Sequence, residues 1–202
     1  MERFAMTFAP TKIAALQDSL TARWHQPLVS TTAPDEAITE LILTQHRANF
    51  DLWHTEDRAR VPNVSGDDMI AIKHEIDRIN QLRNDLVEQI DLALLTEAPT
   101  QNEAAPLHSE TPGLMIDRLS ILSLKIFHTD EEAHRDGATE EHHERNHKRL
   151  ALLIEQRDDL AHALAELWRQ VLAGERRFKL YRQMKMYNDP SLNPAVYNAP
   201  ST

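Results

Sequence analysis

The chain has no cysteine and only 4 glycines among its 202 residues. The first absence removes disulfides, thiolate metal sites and cysteine nucleophiles. The second leaves no GxGxxG or GxxxxGK run, so the common phosphate-cradling loops are excluded. No apolar stretch approaches the length of a membrane span, and the amino terminus lacks the basic-then-apolar order of a signal peptide, so a cytoplasmic location is expected. Basic excess is missing as well: 22 Lys and Arg against 32 Asp and Glu give a formal charge of -10. That balance argues against a whole surface adapted to nucleic acid.

What is present is helical periodicity in a chain long enough for one real core. The organising stretch is TPGLMIDRLSILSLKIFH, residues 111–128, where Thr111 and Pro112 read as an N-cap and first helical position. Its apolar residues go all the way round a helical wheel, the pattern of a helix packed on every side. Asp117, Arg118, Lys125 and His128 nevertheless fall within about a third of the circumference. Charges beside a core must be paired, be wet or meet a ligand.

Around this central helix, residues 11–26 give a first helix and residues 34–60 a second, with Pro34, Asp35 and Glu36 in its first turn. The second helix places Gln45, Asn49, Glu56 and Arg60 in the same arc as Ile38, Ile42, Leu52 and Trp53, with His46 and Asp57 at its edge. The third covers residues 67–95, and Arg83 projects into the centre of its apolar arc. Beside that arc run Lys73, Asp77, Asn80, Asn84, Glu88 and Asp91, which spacings of three and four put on one side. Residues 97–109 read as a loop or lid. The fifth helix is capped by Thr139 and stops at Gly174, with Arg157 inside its apolar arc. The expectation is an all-α, single-domain bundle of about five helices over residues 1–174, with an extended tail over 175–202.

That tail gathers Arg176, Arg177, Lys179, Arg182 and Lys185 among Phe178, Tyr181 and Tyr187. It suits a clasp across the acidic body or a surface for a phosphate-rich partner. His143 and His147 are four apart, beside His142 and Glu144, and such spacing is compatible with a metal. A hydrated, charge-rich helix end is the plainer reading. A ferritin-like two-metal bundle is disfavoured, because no ExxH occurs on the third or fourth helix and Lys73, Arg83 and Arg118 repel cations. IDRINQLRNDL and IDRLSILSLKI begin alike, which hints at two related helix faces.

At NFDLWHTEDRAR, KHEIDRINQLRNDLVEQID, ETPGLMIDRLSILSLKIFH and YRQMKMYNDPSLNP the sequence resembles an uncharacterised bacterial family, a domain of unknown function whose members often lie near genes for lipopolysaccharide or other glycan assembly. The resemblance covers about residues 35–197 and falls on Asn49, Trp53, His54, Glu56, Asp57 and Arg60. It continues at Lys73, Asp77, Asn80, Arg83, Asn84, Glu88 and Asp91, then Thr111, Pro112, Gly113, Asp117, Arg118, Ser120, Lys125 and His128. Lys185, Tyr187, Asn188, Asp189 and Pro190 complete it. It implies no known reaction.

These residues frame the functional expectation. Arg60, Lys73, Arg83, Arg118 and Lys125 supply positive charge, and Asn49, Trp53, Asn80 and Asn84 complete a site for an anionic ligand, since guanidinium suits phosphate and carboxylate. A sugar phosphate or nucleotide sugar is the ligand class that the resemblance implies. For catalysis, Glu56, Asp57, Asp77 and Asp117 offer carboxylates and His128 or His54 a base. Glu56, Asp77 and Glu88 are the candidate ligands of Mg²⁺, which keeps waters and borrows phosphate oxygens. A metal-dependent phosphate-ester hydrolase or transferase is then one alternative, and a non-catalytic accessory or scaffold of glycan assembly, using a polar network for helix register, is the other. Whether the chain is an enzyme stays open. A homodimer is the assembly preference, because symmetric pairs are commonest.

Overall fold

A computed structural model describes residues 8–26, 37–98, 100–182, 184 and 190–194. Among them are five α-helices and no named strand: α1 (Pro10–Trp24), α2 (Ala37–Ala59), α3 (Gly66–Glu97), α4 (Pro112–Ala133) and α5 (Glu140–Leu172). A short 3₁₀ turn follows at Pro190–Leu192. The first-turn expectation at Pro34, Asp35 and Glu36, and those on Lys185, Tyr187, Asn188 and Asp189, lie outside the described residues.

Helix starts follow their capping chemistry. Ser65, Thr111 and Thr139 each sit in extended backbone and accept a hydrogen bond from the amide three residues on. Proline opens α4, where its missing N–H costs nothing. Past the end of α5, Gly174 takes φ 71°, the left-handed stop that glycine adopts without a Cβ penalty.

α4 is the central element: it contacts each of the other four helices, most extensively α5, while α2 and α3 form the other well-packed pair. Ile116 and Leu119 are fully buried, with Leu124 close behind. Around them Ile38, Ile42, Ile90, Leu94, Leu164, Leu167, Trp168 and Val171 complete the main apolar cluster. α3 approaches α4 so closely that a Cβ on Gly113 would lie 2.7 Å from the Val87 carbonyl oxygen, so any larger residue there forces the backbone to shift.

Residues 100–110 are tied down along their length. His108 N–H donates to the Arg177 carbonyl at 2.8 Å and Arg177 N–H to Pro106 at 3.2 Å. Gln101 bonds the Phe178 backbone in both directions, and the Phe178 ring is 2% exposed within the core. The loop and the start of the tail thus close one end of the bundle together. Arg157, placed by sequence in an apolar arc, is paired with Asp18 of α1 and Asp158.

Candidate functional site

The polar residues of α1, α2, α3 and α4 meet in one buried network centred on Asp117. This carboxylate is 8% exposed. Gln45 donates to its Oδ1 at 2.5 Å and Asn49 to the same oxygen at 3.0 Å. Arg83 reaches across from α3, with Nη2 donating to Oδ2 at 3.1 Å and Nε lying 3.0 Å from Oδ1. A buried carboxylate with a guanidinium and two amide donors around it is satisfied rather than reactive.

From Asn49 the network continues inward. Asn49 donates to Ser120 Oγ at 2.9 Å, and Ser120 Oγ lies 2.7 Å from His46 Nδ1. His46 Nε2 lies 3.0 Å from the Gln17 carbonyl and 3.0 Å from Thr21 Oγ1, which is 2.9 Å from Ser123 Oγ. A carbonyl can only accept, so Nε2 carries the proton, and Nδ1 accepts from the Ser120 hydroxyl. Burial lowers the His46 pKa from 6.5 to about 4, against a smaller raising effect of its bond to Gln17, so the ring is neutral. Ser120 beside His46 has the spacing of an activated nucleophile and its base. Both are 0% exposed, so no substrate reaches them and the pair is structural.

A second buried carboxylate holds the start of α4. Asp91 accepts from Thr111 Oγ1 and, at 2.7 Å, from Gly113 N–H. Burial raises its pKa from 3.8 to about 6, partly opposed by these two bonds.

The remaining candidates disperse. Arg60 is 66% exposed and pairs with Glu56 at 2.8 Å and Asp57 at 3.2 Å along the last turns of α2. Lys73 and Asp77 form an exposed pair 3.8 Å apart on α3. Asn80, Asn84 and Glu88 are half-buried along the same helix. The supposed metal set Glu56, Asp77 and Glu88 does not converge; three-and-four spacing put these groups on shared faces but could not say that those faces look outward. The charged sector of α4 divides too. At 100° per residue Asp117 and His128 point about 20° apart, as do Arg118 and Lys125, and the two pairs look at adjacent faces. Asp117 faces α2 and α3, whereas Arg118 and Lys125 line an open cleft against α5.

That cleft, of about 620 Å³, is floored by Met115, Ile121, Leu122 and Leu160, with His108, Gln156 and Asp159 at its rim. Arg118 is bound to Glu110 at 2.5 Å, a pair more than a third exposed on each side. Lys125 is exposed and has no ion-pair partner among the described residues.

At the other end of α4, His128 stacks on Trp53 with ring centroids 4.9 Å apart and planes at 10°. His25 and His54 stand beside it, with centroids 5.0 and 5.6 Å from its ring. His54 has its pKa lowered by burial first and then by the other two imidazoles, with Asp57 and Asp51 opposing. The other histidine group is spent locally: His142 Nε2 lies 2.9 Å from Glu132, His143 donates to the Arg135 carbonyl and His147 to the His143 carbonyl.

The profile of a family described as a protein of unknown function, DUF4254, matches residues 39–180. The chain belongs to the DUF4254 family. The match takes in α2 to α5, and with them Asp117, the α4–α5 cleft, His54 and His128. No curated protein and no solved structure matches the chain.

Sequence reasoning named Asn49, Arg83 and Asp117 and placed Gln45 and His46 on the right helix, but missed Gln17, Thr21, Ser123 and His25. Gln17, Thr21 and His25 recur at four on α1, the one signal that one face of that helix is polar where it meets its neighbours.

Proposed function

We propose that this DUF4254 chain binds a small anionic molecule in the cleft between α4 and α5. The observation that carries the reading is the pair Arg118 and Lys125, seven residues apart on one face of α4, over an apolar floor in an open cleft of about 620 Å³. Arg118 has a planar fork for phosphate or carboxylate, and its present partner Glu110 is a solvated carboxylate that an anion can displace at little cost. Lys125 adds a point charge, and the floor can take the face of a sugar or base.

This reading is one of binding. The carboxylates and the histidine expected to do chemistry lie elsewhere: Asp117 is fully paired, and Glu56, Asp57 and Asp77 are on the solvated faces of α2 and α3. Sugar phosphates and nucleotide sugars are the first ligands to try, a choice that rests on the family resemblance and its glycan-assembly setting. Mg²⁺ enters this reading only as a companion of the phosphate.

The test is a thermal-shift and calorimetric titration of the whole chain with UDP-glucose, glucose 1-phosphate and inorganic phosphate, each with and without Mg²⁺. Binding is expected to be lost in Arg118→Glu and Lys125→Glu and kept in Arg60→Glu. Binding that survives both cleft variants, or no binding of any probe, overturns the proposal. The second reading, a non-catalytic scaffold, has one observation in its favour: the buried Asp117 carboxylate is held by Gln45, Asn49 and Arg83 from two other helices, an arrangement that serves helix register without a ligand.

A further inference from the structure

The three histidines at the far end of α4 come from three different helices or their ends. His25 is the C-cap of α1, His54 lies near the end of α2, and His128 is in the last two turns of α4. One ring nitrogen from each lies within 4.8 Å of the other two, and all three residues are half-buried.

In two of the rings Nδ1 is hydrogen-bonded to an oxygen, and in the third it only faces a carboxylate at a longer distance. His25 Nδ1 lies 2.7 Å from the Thr21 carbonyl, His128 Nδ1 2.9 Å from Glu131 Oε2, and His54 Nδ1 4.0 Å from Asp57 Oδ2. In His25 and His128 that partner fixes the proton on Nδ1 and leaves the lone pair on Nε2. Metal-bound imidazoles are held in this way, with the far nitrogen donating to a carbonyl or carboxylate. The Nε2 atoms of His25 and His128 are moreover out of solvent with no hydrogen-bond partner. Two lone pairs buried without a donor cost stability unless something electron-poor sits between them.

We infer that His25, His54 and His128 form a binding site for a divalent transition-metal ion of the Zn²⁺ class, held through Nε2 of His25 and of His128 and a ring nitrogen of His54, with at least one coordination position open. Three neutral nitrogens and no thiolate select zinc, copper, nickel or ferrous ions over Mg²⁺ or Ca²⁺, which require oxygen. At Zn–N bonds of about 2.0–2.1 Å a tetrahedral ion needs its nitrogens roughly 3.3 Å apart, so the rings must draw together by up to about 1.5 Å. His54, with 38% of its side chain exposed, has the freedom to do so. Besides the other two imidazoles, Asp51 and Asp57 act on His54, each of them also paired with an arginine, Arg47 and Arg60. Phe127 stacks on His25 at 4.1 Å, Phe50 stands 4.4 Å from His54, and Trp53 covers His128, which gives the site an aromatic wall against solvent.

The site lies away from the α4–α5 cleft, so the two stand or fall independently. The test strips the full chain with a chelator, dialyses it and titrates Zn²⁺ by calorimetry and Co²⁺ by visible absorption. The result expected is one equivalent of metal, a rise in Tm, and a Co²⁺ d–d spectrum of the intense four- or five-coordinate type. His54→Ala removes the most exposed ligand and is expected to leave the metal-free Tm nearly unchanged while weakening Zn²⁺ at least tenfold; His128→Gln should do the same where His54→Ala unsettles the fold. The double variant His142→Ala/His143→Ala should bind as the parent does. Metal uptake unchanged in both His54→Ala and His128→Gln, uptake lost only in the His142/His143 variant, or no stoichiometric uptake at all would overturn the assignment.

Discussion

The two buried ionisable groups with displaced pKa values pull stability in opposite directions with pH, and one substitution separates them. His46 is neutral in the fold, its pKa lowered by burial from 6.5 to about 4. The unfolded chain binds that proton first, so the contribution of His46 is complete above pH 6.5 and is lost as pH falls. Between pH 7 and 4.5 the loss works out at about 2.5 kcal/mol. Asp91 has a pKa raised by burial from 3.8 to about 6, so here the folded chain takes the proton first and acid relieves the cost of a buried charge. Over the same interval it returns about 2 kcal/mol. The parent should therefore change little on account of this pair. Asp91→Asn abolishes the gain and leaves the loss. Its stability should fall between pH 7 and 4.5 by about 2 kcal/mol more than the parent's, or roughly 4–8 °C in Tm for a chain of this size. Exposed carboxyls held low by basic neighbours, such as Glu166 beside Arg169 and Glu144 beside Lys148, are common to both proteins and cancel in the difference. Urea denaturation at the two pH values measures the effect, and the His46 ring resonances report its protonation directly. Equal pH slopes in the two proteins, or a His46 that titrates near 6.5 in the folded chain, would refute the reasoning.

Gly113→Ala should destabilise by roughly 1–3 kcal/mol in urea denaturation, because its Cβ would meet the Val87 carbonyl oxygen at 2.7 Å, and backbone cannot step aside as a flexible side chain would. Gly66→Ala, where a Cβ meets nothing within 4 Å, is the control and should be near neutral. Asp117→Ala leaves Arg83, Gln45 and Asn49 without their common acceptor and should cost roughly 3–5 kcal/mol, whereas Arg60→Ala, in a solvated pair, should leave stability nearly unchanged.

The helices, their caps and the central place of α4 were legible because each rests on a local rule: a proline at the first position, a threonine before it, an apolar period that runs round the whole wheel. The partner of Arg83 was legible only as a chemical class. A guanidinium in an apolar arc demands a carboxylate, and Asp117 supplies it from another helix. What periodicity could not give was the direction of a polar stripe. Lys73 and Asp77 share a side of α3 with Asp91, yet Asp91 lies where α4 covers the helix, while the side chains of the other two are exposed among the described residues. In the same way Glu56, Asp57 and Arg60 continue the stripe of Gln45 and Asn49 beyond the region where α2 is covered, and there the charges pair with one another. The three histidines were illegible for a different reason. His25, His54 and His128 are far apart in sequence and on separate helices, so no spacing rule joins them, whereas His143 and His147, beside His142, stand out by their spacing of four.

The buried network and the histidine site are one structure. The chain of bonds that begins at Arg83 passes through Asp117, Asn49, Ser120 and His46 and reaches Thr21 on α1. Thr21 then acts twice: its hydroxyl meets His46, and its backbone carbonyl accepts from His25 Nδ1. A one-residue slip of α1 along α4 would break the Thr21 to Ser123 contact and the Gln17 bond to the Ile116 carbonyl together, and it would swing His25 away from His128. Polar groups with so many directional partners fix register more sharply than apolar surface, which tolerates sliding. The interior gives up an all-apolar packing at the Asp117 level, and in return the relative positions of α1, α2 and α4 are set to within hydrogen-bond tolerance. That tolerance is what a set of metal ligands drawn from three helices requires, since rings displaced by an ångström cannot share an ion. A buried, unreactive network and a half-buried histidine cluster thus have complementary parts in one arrangement, the first holding the helices still and the second supplying the proposed metal ligands.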